Sequence, residues 1–585
     1  DAGSPTPDVV LATYITTPDE PATDLATAAR NATHHALALL QEWLADERLT
    51  HTKLLFVTRG AIAARPGEDV SDLANAPVWG LVRSAQREHP NRLWLVDIDD
   101  DNLAAAVTAA SDNEPQLALR AGTTLTPRLT HHTTPTPTPA HFGDPDGTIL
   151  ITGGTGTLGA LLARHLVTRH GSRHLLLTSR RGEHAPGAHA LAEELTTLGA
   201  NVTIAACDAA DRTTLAALLD TLPTQHPLTT VIHAAGTLDD ATITNLTPQQ
   251  LDHVLQPKID AALNLHHLTH HHNLSAFILF SGAASTFGSA GQAHYAAANV
   301  FLDALAAHRT AHNLPATSLG WGFWAERSEM TGHLDEIAMR RIARIGLAEM
   351  TSTEGLALFD AAVRADLPFV LPARLDPASL NEQARAGTLP AILRGLVRRP
   401  TRRVSPADGV QATGSSTLAD RLAVMPEAER ADLLLELVRS QVAGVLGHES
   451  ATAVKPQQAF KELGFDSLAA VELRNRLMRA TSLRLSATLA FDYPTPIALS
   501  RYLESELLSG EETLTDRLLS DLDGLESALS TLAPDEEARG RVLRRVQRIL
   551  LKFDDGKASS DGIATVDQFD SASDDELFDF LDNGI

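Results

Sequence analysis

The sequence predicts an α/β protein with two Rossmann-like subdomains, one structural and one catalytic, followed by a four-helix bundle and a helical C-terminal region. Strand-like apolar runs alternate with helical stretches up to about residue 400, a glycine-rich turn at 152–159 follows one of those runs, and residues 418–508 read as helical throughout. Alternating strands and helices are typical of parallel sheets covered by helices. With 585 residues, 43% of them hydrophobic, the chain can bury several separate cores.

Composition excludes several classes of function. The formal net charge of −25 opposes binding to nucleic acids and anionic membranes, because repulsion precedes any contact. A single cysteine, Cys207, excludes an intrachain disulfide and a cysteine-rich zinc site. The sequence shows no signal peptide and no apolar run of membrane-spanning length, which predicts a cytoplasmic protein. The chain starts at Asp1 rather than methionine, which suggests a piece of a longer polypeptide.

Residues 1–140 are predicted to form the first α/β subdomain. Apolar runs at 53–58 and 93–97 read as strands, and helical patterns surround 24–46 and 77–88. Since no glycine-rich turn follows these strands, we expect structural support rather than nucleotide binding. A Thr/Pro/His stretch then leads into the second α/β subdomain, at 141–400, which is predicted to carry the chemistry.

The glycine-rich turn predicts a dinucleotide site. A strand at 147–152 precedes it and a helix from about Leu158 follows it, so backbone N–H groups and a helix N-terminus face a pyrophosphate. The next strand, 175–178, leads into Ser179, Arg180 and Arg181. An acidic residue there binds a ribose hydroxyl, whereas arginine pairs with a 2′-phosphate, so NADPH is preferred over NADH. The alternative is an ordinary pair of surface arginines.

Tyr295 and Asn299 lie four residues apart and so share one face of a helix. A tyrosine near a cation is able to protonate a carbonyl that is being reduced. Lys258 is the candidate cation, because no lysine follows Tyr295 at the same spacing. The alternative interpretation is a tyrosine that belongs to the core.

A basic, turn-rich segment at 401–417 has the composition of a mobile linker, and 418–508 is predicted to fold as a helix bundle. Within it, Ser467 follows Gly464, Phe465 and Asp466 and is expected to open a helix. That position suits a phosphodiester on the serine hydroxyl, near the positive helix end. The competing interpretation is an ordinary N-cap.

Leucine spacing predicts two coiled-coil-like helices at 511–555, then a flexible tether at 556–572 and an acidic amphipathic helix at 573–585. The aromatic cluster in that last helix favours a docking peptide over a solvated acidic tail. A histidine-rich run at 266–272 lacks an ordered carboxylate or cysteine partner, and no metal site is assigned to it.

Together, the glycine-rich turn, Lys258, Tyr295 and Asn299 resemble the short-chain dehydrogenase/reductase superfamily, specifically ketoreductase domains of modular type I polyketide synthases. In those domains the lysine and asparagine positions are exchanged relative to other short-chain reductases. The resemblance implies NADPH as cofactor and Tyr295 as proton donor, and it makes Asp208 an adenine contact and 321–324 the motif before a substrate lid. The cofactor contacts it implies are Gly153, Gly154, Thr155, Gly156, Thr157, Leu158, Gly159, Ser179, Arg180, Arg181, Asp208, Ala234, Ala235 and Gly236.

One position departs from the family. Its catalytic serine lies thirteen residues before the tyrosine, where this chain has Gly282, preceded by Ser281. Either Ser281 serves through a one-residue shift, or the carbonyl loses a hydrogen bond worth up to ~10²–10³ in rate. The second case makes the segment a reductase-inactive scaffold that passes the β-ketone on.

The resemblance also implies a product. Leu238, Asp239 and Asp240 look like the marker of ketoreductases that form the R (D) β-hydroxyl. Gln292 is not the tryptophan of the opposite class, and Ala297 is not the proline of those that select an epimerised α-methyl. We therefore expect R-hydroxyl formation without epimerisation.

Residues 418–508 resemble an acyl carrier protein, whose serine, here Ser467, a phosphopantetheinyl transferase loads with 4′-phosphopantetheine. The last 75 residues resemble C-terminal docking domains, which implies a homodimer through 518–553 and a downstream synthase polypeptide bound by the final helix. No condensing-enzyme or acyltransferase motif occurs, so ketosynthase and acyltransferase domains must be supplied by upstream sequence or by another polypeptide. A third class, an ordinary dehydrogenase with an unrelated helical tail, is disfavoured by the carrier motif.

Overall fold

A computed structural model describes residues 6–15, 24–111, 113–132, 142, 144, 146–326, 332, 339, 346–397, 418–423, 425–448, 450–486 and 488–509. Contacts divide the chain into a unit of residues 1–504 and a second of residues 505–585, of which only 505–509 are described. The predicted linker at 401–417 and all elements predicted beyond 510 lie outside the described residues. No described helix is long and apolar enough to cross a bilayer.

The first sheet has five strands in the order β1-β2-β3-β4-β5, parallel except for the last pair. Every residue of β3 is buried, as expected for a parallel strand covered on both faces. Its elements are β1 (Val9–Tyr14), α1 (Leu25–Ala45), β2 (Lys53–Arg59), α2 (Ala76–Glu88), β3 (Leu93–Ile98), α3 (Leu103–Ala109), β4 (Gln116–Arg120) and β5 (Thr123–Leu125).

The carboxyl edge of the first sheet is filled by its own side chains. Asp97 near the end of β3 is fully buried, and Arg120 Nη2 lies 2.6 Å from its Oδ2 atom. The Thr58 hydroxyl and the Ala61 N–H donate to Oδ1 of the same carboxylate, at 2.6 and 2.9 Å. Because nucleotides bind at this edge in open α/β sheets, the ion pair agrees with the structural role predicted for the first subdomain.

The second sheet has seven parallel strands in the order β13-β11-β10-β9-β6-β7-β8. The strand order reverses between β6 and β9, which is where such sheets bind ligands. The strands are β6 (Thr148–Thr152), β7 (His174–Ser179), β8 (Asn201–Ala206), β9 (Leu228–His233), β10 (Ala276–Gly282), β11 (Thr317–Trp321) and β13 (Phe369–Val370); β12 (Leu347–Ala348) and β14 (Arg374–Leu375) form a separate antiparallel pair.

Eight helices of the second subdomain are described among the residues given above. They are α4 (Thr157–His170), α5 (Ala188–Thr197), α6 (Arg212–Leu219), α7 (Pro248–Leu268), α8 (Ala284–Phe287), α9 (Ala293–Ala311), α10 (Ser352–Arg364) and α11 (Pro377–Arg385). The two subdomains meet where α2 packs on α9: a Cβ atom at Gly80 would lie 2.3 Å from the Ala296 carbonyl oxygen. This close approach fixes the helix that carries Tyr295 against the first subdomain.

The C-terminal helices pack around a core of their own, in which Val438, Val442, Leu473, Leu477 and Leu499 are fully buried. They are α12 (Leu418–Ala423), α13 (Glu427–Leu446), α14 (Ser467–Thr481), α15 (Leu489–Asp492) and α16 (Pro496–Ser509). Helix α16 begins at Pro496, where proline is tolerated because the first helical N–H has no intrahelical partner. The predicted fold class, two Rossmann-like sheets followed by a helical region, is confirmed.

Candidate active site

The glycine-rich turn connects β6 to α4 and is shaped for close backbone approach. Gly153 has φ +68°, and a Cβ atom there would lie 2.9 Å from the Ala235 nitrogen. A Cβ atom at Gly159 would lie 2.3 Å from the Gly153 oxygen. Helix α4 begins at Thr157, and its N-cap residue, Gly156, has no side chain that could accept from the first backbone N–H groups of the helix. This cradle, which a side chain would fill, fits the pyrophosphate of a dinucleotide.

The loop that follows β9 connects the cradle to α7, the helix of Lys258. The Ala234 N–H donates to the Thr152 carbonyl at 3.1 Å, and a Cβ atom at Gly236 would lie 3.0 Å from Lys258 Cε. His233, at the end of β9, lies 2.7 Å from the Thr152 hydroxyl through Nδ1. Burial lowers the pKa of His233 to about 3, so its imidazole is neutral near pH 7. Residues 234–236 therefore lie between the turn and Lys258.

The residues predicted to select the cofactor lie at the end of β7. The Ser179 hydroxyl accepts a hydrogen bond from the Gly182 N–H at 3.1 Å, while Arg180 and Arg181 lead into a short 3-10 helix at Gly182–His184. The Cys207 N–H donates to the Ser179 carbonyl at 2.9 Å. The Asp208 carboxylate accepts from the Ala210 N–H at 3.0 Å. These hydrogen bonds bring the predicted 2′-phosphate and adenine contacts to one edge of the sheet.

Tyr295, Asn299 and Lys258 come together as the sequence predicted. A Cβ atom at Gly282 would lie 3.1 Å from both Tyr295 Oη and Asn299 Nδ2, so the phenol and the amide flank one point. Lys258, on α7, lies with Nζ 5.4 Å from the centre of the Tyr295 ring and donates to the Phe280 carbonyl at 2.7 Å. Burial lowers the pKa of Lys258 to about 7.

Burial also raises the pKa of Tyr295, while the neighbouring Asn299 amide opposes that rise. Among the described residues, neither amide atom of Asn299 has a partner with full hydrogen-bond geometry. A buried amide without partners is costly, and it is commonly completed by a substrate or an ordered water. Asn299 is therefore poised to bind a polar group beside the phenol.

Gly282 and Ser281 are consecutive at the end of β10, so their side-chain directions face opposite sides of the sheet. Gly282 faces the Tyr295 hydroxyl. The Ser281 hydroxyl lies 3.4 Å from the Asn299 carbonyl oxygen and 3.5 Å from the Ser285 hydroxyl, and it also contacts the half-buried Asp303 carboxyl. The predicted catalytic role of Ser281 would require its side chain to turn from Asp303 toward Tyr295.

The predicted stereochemistry motif lies beside the helix of Tyr295. Asp239 accepts from Gln250 Nε2 at 2.9 Å, a bond that lowers the pKa of Asp239, and its backbone carbonyl accepts from His294 Nε2 at 2.8 Å. Asp240 accepts from Gln292 Nε2 at 2.9 Å. Gln292 is the N-cap residue of α9, so its hydrogen bond to Asp240 connects the motif to the start of that helix.

Sequence reasoning missed Glu88, the last residue of α2. Its carboxylate accepts from the Ile243 N–H at 2.8 Å and from the Gly291 N–H at 2.9 Å. The loop after Leu238–Asp240 and the loop before α9 are thereby fixed by one side chain of the first subdomain. Burial raises the pKa of Glu88 to about 7. A single acidic residue at the end of a helix carries no sequence signal of such a role.

Ser467 is the first residue of α14 and is exposed. The alternative in which Ser467 itself caps the helix is wrong, because Asp466 is the N-cap residue. The Asp466 carboxylate accepts from the Ala469 N–H at 2.6 Å. The serine hydroxyl is therefore not needed for the cap and remains accessible at the helix N-terminus, where a phosphodiester is favoured.

Two histidine–carboxylate clusters that the sequence did not indicate occur among the described residues. In one, His165 and His170 each lie 2.9 Å from Asp360 Oδ1. In the other, His308 lies 2.8 Å from Asp69. His266, from the histidine-rich run, instead lies 2.8 Å from Arg309.

Residues 147–326 match the model of the ketoreductase (KR) domain, and residues 1–129 match the Rossmann fold domain of the polyketide synthase extender module SpnB. Residues 436–503 match the phosphopantetheine attachment site.

Long relatives match over most of this chain. Polyketide synthase GfsA of Streptomyces halstedii is 46% identical over 583 residues, which are 99% of this chain and 8% of GfsA. Mycoketide-CoA synthase of Mycobacterium tuberculosis is 54% identical over 362 residues, which are 62% of this chain and 9% of that protein. This chain thus corresponds to a small part of each relative.

Solved structures match the reductase region. A structure described as A-type ketoreductases from a modular polyketide synthase has a TM-score of 0.57 and 38% identity, over 63% of this chain and 80% of that one. A C2-type ketoreductase from a modular polyketide synthase has a TM-score of 0.55 and 32% identity, over 62% and 78%. The chain belongs to the ketoreductases of modular polyketide synthases, enzymes that reduce β-ketoacyl groups with NAD(P)H, and it carries an acyl carrier domain with a phosphopantetheine attachment site.

Proposed function

We propose that this protein uses NADPH to reduce a β-ketoacyl thioester, tethered to its own carrier domain, to the R (D) β-hydroxyacyl thioester. The observation that carries the proposal is the convergence of Tyr295, Lys258 and Asn299 beside the glycine cradle. When bound, NADPH supplies a hydride to the β-carbon. The cradle at 153–159 and the loop at 234–236 would hold its pyrophosphate and orient its nicotinamide toward Lys258.

The protein's own residues supply the proton that the substrate oxygen takes up. Tyr295 donates its phenolic proton to the substrate oxygen as negative charge develops there. The protonated form of Lys258, near the phenol ring, favours loss of that proton, because a positive charge stabilises a phenolate. The Asn299 amide, whose atoms have no partner with full hydrogen-bond geometry among the described residues, binds the thioester or a water that returns a proton to Tyr295.

Replacing both Arg180 and Arg181 by alanine is expected to lower the preference for NADPH over NADH. Each arginine supplies charge-assisted hydrogen bonds worth about 1.5–3 kcal/mol to a 2′-phosphate, so we expect at least a tenfold loss in kcat/KM for NADPH and little change for NADH. The control is Arg173→Ala, because Arg173 precedes β7, at the opposite end of that strand. Equal losses with both cofactors would contradict the assignment.

The product is expected to be the R-alcohol without epimerisation. Asp239 and Asp240 are held by Gln250 and Gln292, so the motif is fixed beside the start of α9. Chiral chromatography of the product from an α-methyl-β-ketoacyl thioester measures both centres. Mainly S-alcohol, or an inverted α-methyl group, would overturn this part of the proposal.

A second candidate function is favoured by Gly282, which offers no hydroxyl at the point that faces Tyr295. In that case the segment acts as a scaffold and carrier, and the β-ketone passes on unreduced. The two candidates differ in whether the unmodified protein oxidises NADPH with a β-ketoacyl thioester.

We also propose the partners of the assembly. Residues 518–553 would pair two copies of the chain, and the acidic helix at 573–585 would bind a downstream synthase polypeptide. Upstream ketosynthase and acyltransferase domains would supply the β-ketoacyl group, and a phosphopantetheinyl transferase would load Ser467. The support for these partners is the leucine spacing, the acidic and aromatic composition of the terminal helix, and the match to the attachment-site model.

A further inference from the structure

The carrier helix α14 contacts the reductase at the C-terminal end of α2. Arg474 donates through Nη2 to the Glu88 carbonyl, and Asn475 Nδ2 donates to the carbonyls of Arg87 and Glu88 at 3.1 and 3.2 Å. Arg474 is 4% exposed and Asn475 is 7% exposed. Carbonyls at a helix C-terminus lack intrahelical donors and carry partial negative charge, so an arginine and an amide suit them.

Two further contacts extend this surface. A Cβ atom at Gly291 would lie 3.8 Å from Leu468 Cδ2, which places the residue after Ser467 against the loop before α9. Beyond α14, Arg484 Nη1 donates to the Thr50 carbonyl at 2.9 Å. The contacts therefore run from Leu468, next to the attachment serine, to Arg484, just beyond the end of α14.

We propose that this is the docking surface for reduction: the carrier domain of this chain binds the α2 terminus through Arg474 and Asn475, and Leu468 places Ser467 beside the loop that leads into α9, the helix of Tyr295. The inference rests on the proposed function and adds where the carrier binds. Glu88 connects the carrier helix to the loop before α9. Its backbone carbonyl accepts from Arg474, while its carboxylate accepts from the Gly291 N–H.

Burial of Arg474 supports a specific contact. Desolvation lowers the pKa of Arg474 to about 10, so the guanidinium stays charged near pH 7. A buried charge is costly unless it is hydrogen-bonded, and the Glu88 carbonyl and the Asn475 amide oxygen provide its partners. On a free carrier domain, where water would solvate it, the Arg474 guanidinium would not need these hydrogen-bond partners.

The first experiment measures reduction of one β-ketoacyl group in two forms, loaded on Ser467 of the full chain and as a small diffusing thioester. We expect Arg474→Ala and Asn475→Ala to slow single-turnover reduction of the loaded form at least tenfold and to leave the diffusing thioester unchanged. Arg501→Ala, an exposed arginine on α16, is the matched control. Unchanged reduction of the loaded form in Arg474→Ala would overturn the proposal.

A second experiment tests docking without any chemistry. Cysteines introduced in place of Thr50 and Arg484 would be joined by a short bismaleimide in the acyl-loaded protein, because the acyl group blocks the phosphopantetheine thiol and the one native cysteine, Cys207, is buried. We expect an intrachain crosslink that Arg474→Glu abolishes. No crosslink, or one that joins two chains, would overturn docking within the chain. If the protein reduced neither substrate form, the proposed function would fail while the crosslink still decided the docking surface.

Discussion

Replacing Ser467 by alanine is expected to abolish attachment of phosphopantetheine and, with it, all reduction of carrier-loaded substrate. The hydroxyl is the group that the phosphodiester requires, and Ser467 is exposed at the start of α14. Because Asp466 makes the helix cap, the substitution leaves α14 intact. Reduction of a small diffusing thioester should continue at the unmodified rate, since the substitution touches no reductase residue.

Intact-protein mass spectrometry after treatment with a phosphopantetheinyl transferase and coenzyme A measures this result. Ser486→Ala is the control, because Ser486 is another exposed carrier hydroxyl. A phosphopantetheine increment that persisted in Ser467→Ala would place the attachment elsewhere and contradict the assignment. Loss of the increment in both variants would point instead to damage of the surface that the transferase recognises.

The sequence predicted the parts of this site that local chemistry dictates. The turn at 152–159 needs glycines because backbone atoms approach each other closely, and a strand and a helix flank it in the expected order. Tyr295 and Asn299 share a helix face, which follows from their spacing alone. Lys258 was placed by resemblance, since nothing in the spacing of distant residues shows that α7 and α9 bring them together.

The remaining features depend on tertiary contacts that no local pattern encodes. Glu88 is 155 residues from Ile243 and 203 from Gly291 along the chain, and it still binds both. Asn475 contacts Arg87 across 388 residues. The alternative of Ser467 as the N-cap of α14 was wrong, because Asp466 and Ser467 are both good capping residues and only the backbone geometry shows that Asp466 is the cap.

Introducing a serine at position 282 is expected to raise the rate of reduction, by up to ~10²–10³, by restoring one hydrogen bond to the developing oxyanion. The position faces the reacting groups: its Cβ atom would lie 3.1 Å from Tyr295 Oη and 3.1 Å from Asn299 Nδ2. These contacts are tight, so the phenol and the amide must shift by a few tenths of an ångström, and part of the gain is lost if they cannot.

Steady-state NADPH oxidation with a diffusing β-ketoacyl thioester measures that gain, with Tyr295→Phe and Ser281→Ala as companion variants. Without its phenolic proton donor, Tyr295→Phe should lose ~10²–10⁴ in rate. Ser281→Ala should change the rate little, since its hydroxyl faces Asp303 and Ser285. A large loss in Ser281→Ala with no gain in Gly282→Ser would show that Ser281 supplies the missing hydrogen bond. Activity that appears only in Gly282→Ser would establish the native segment as a scaffold, because the remaining site would then be complete except for that hydroxyl.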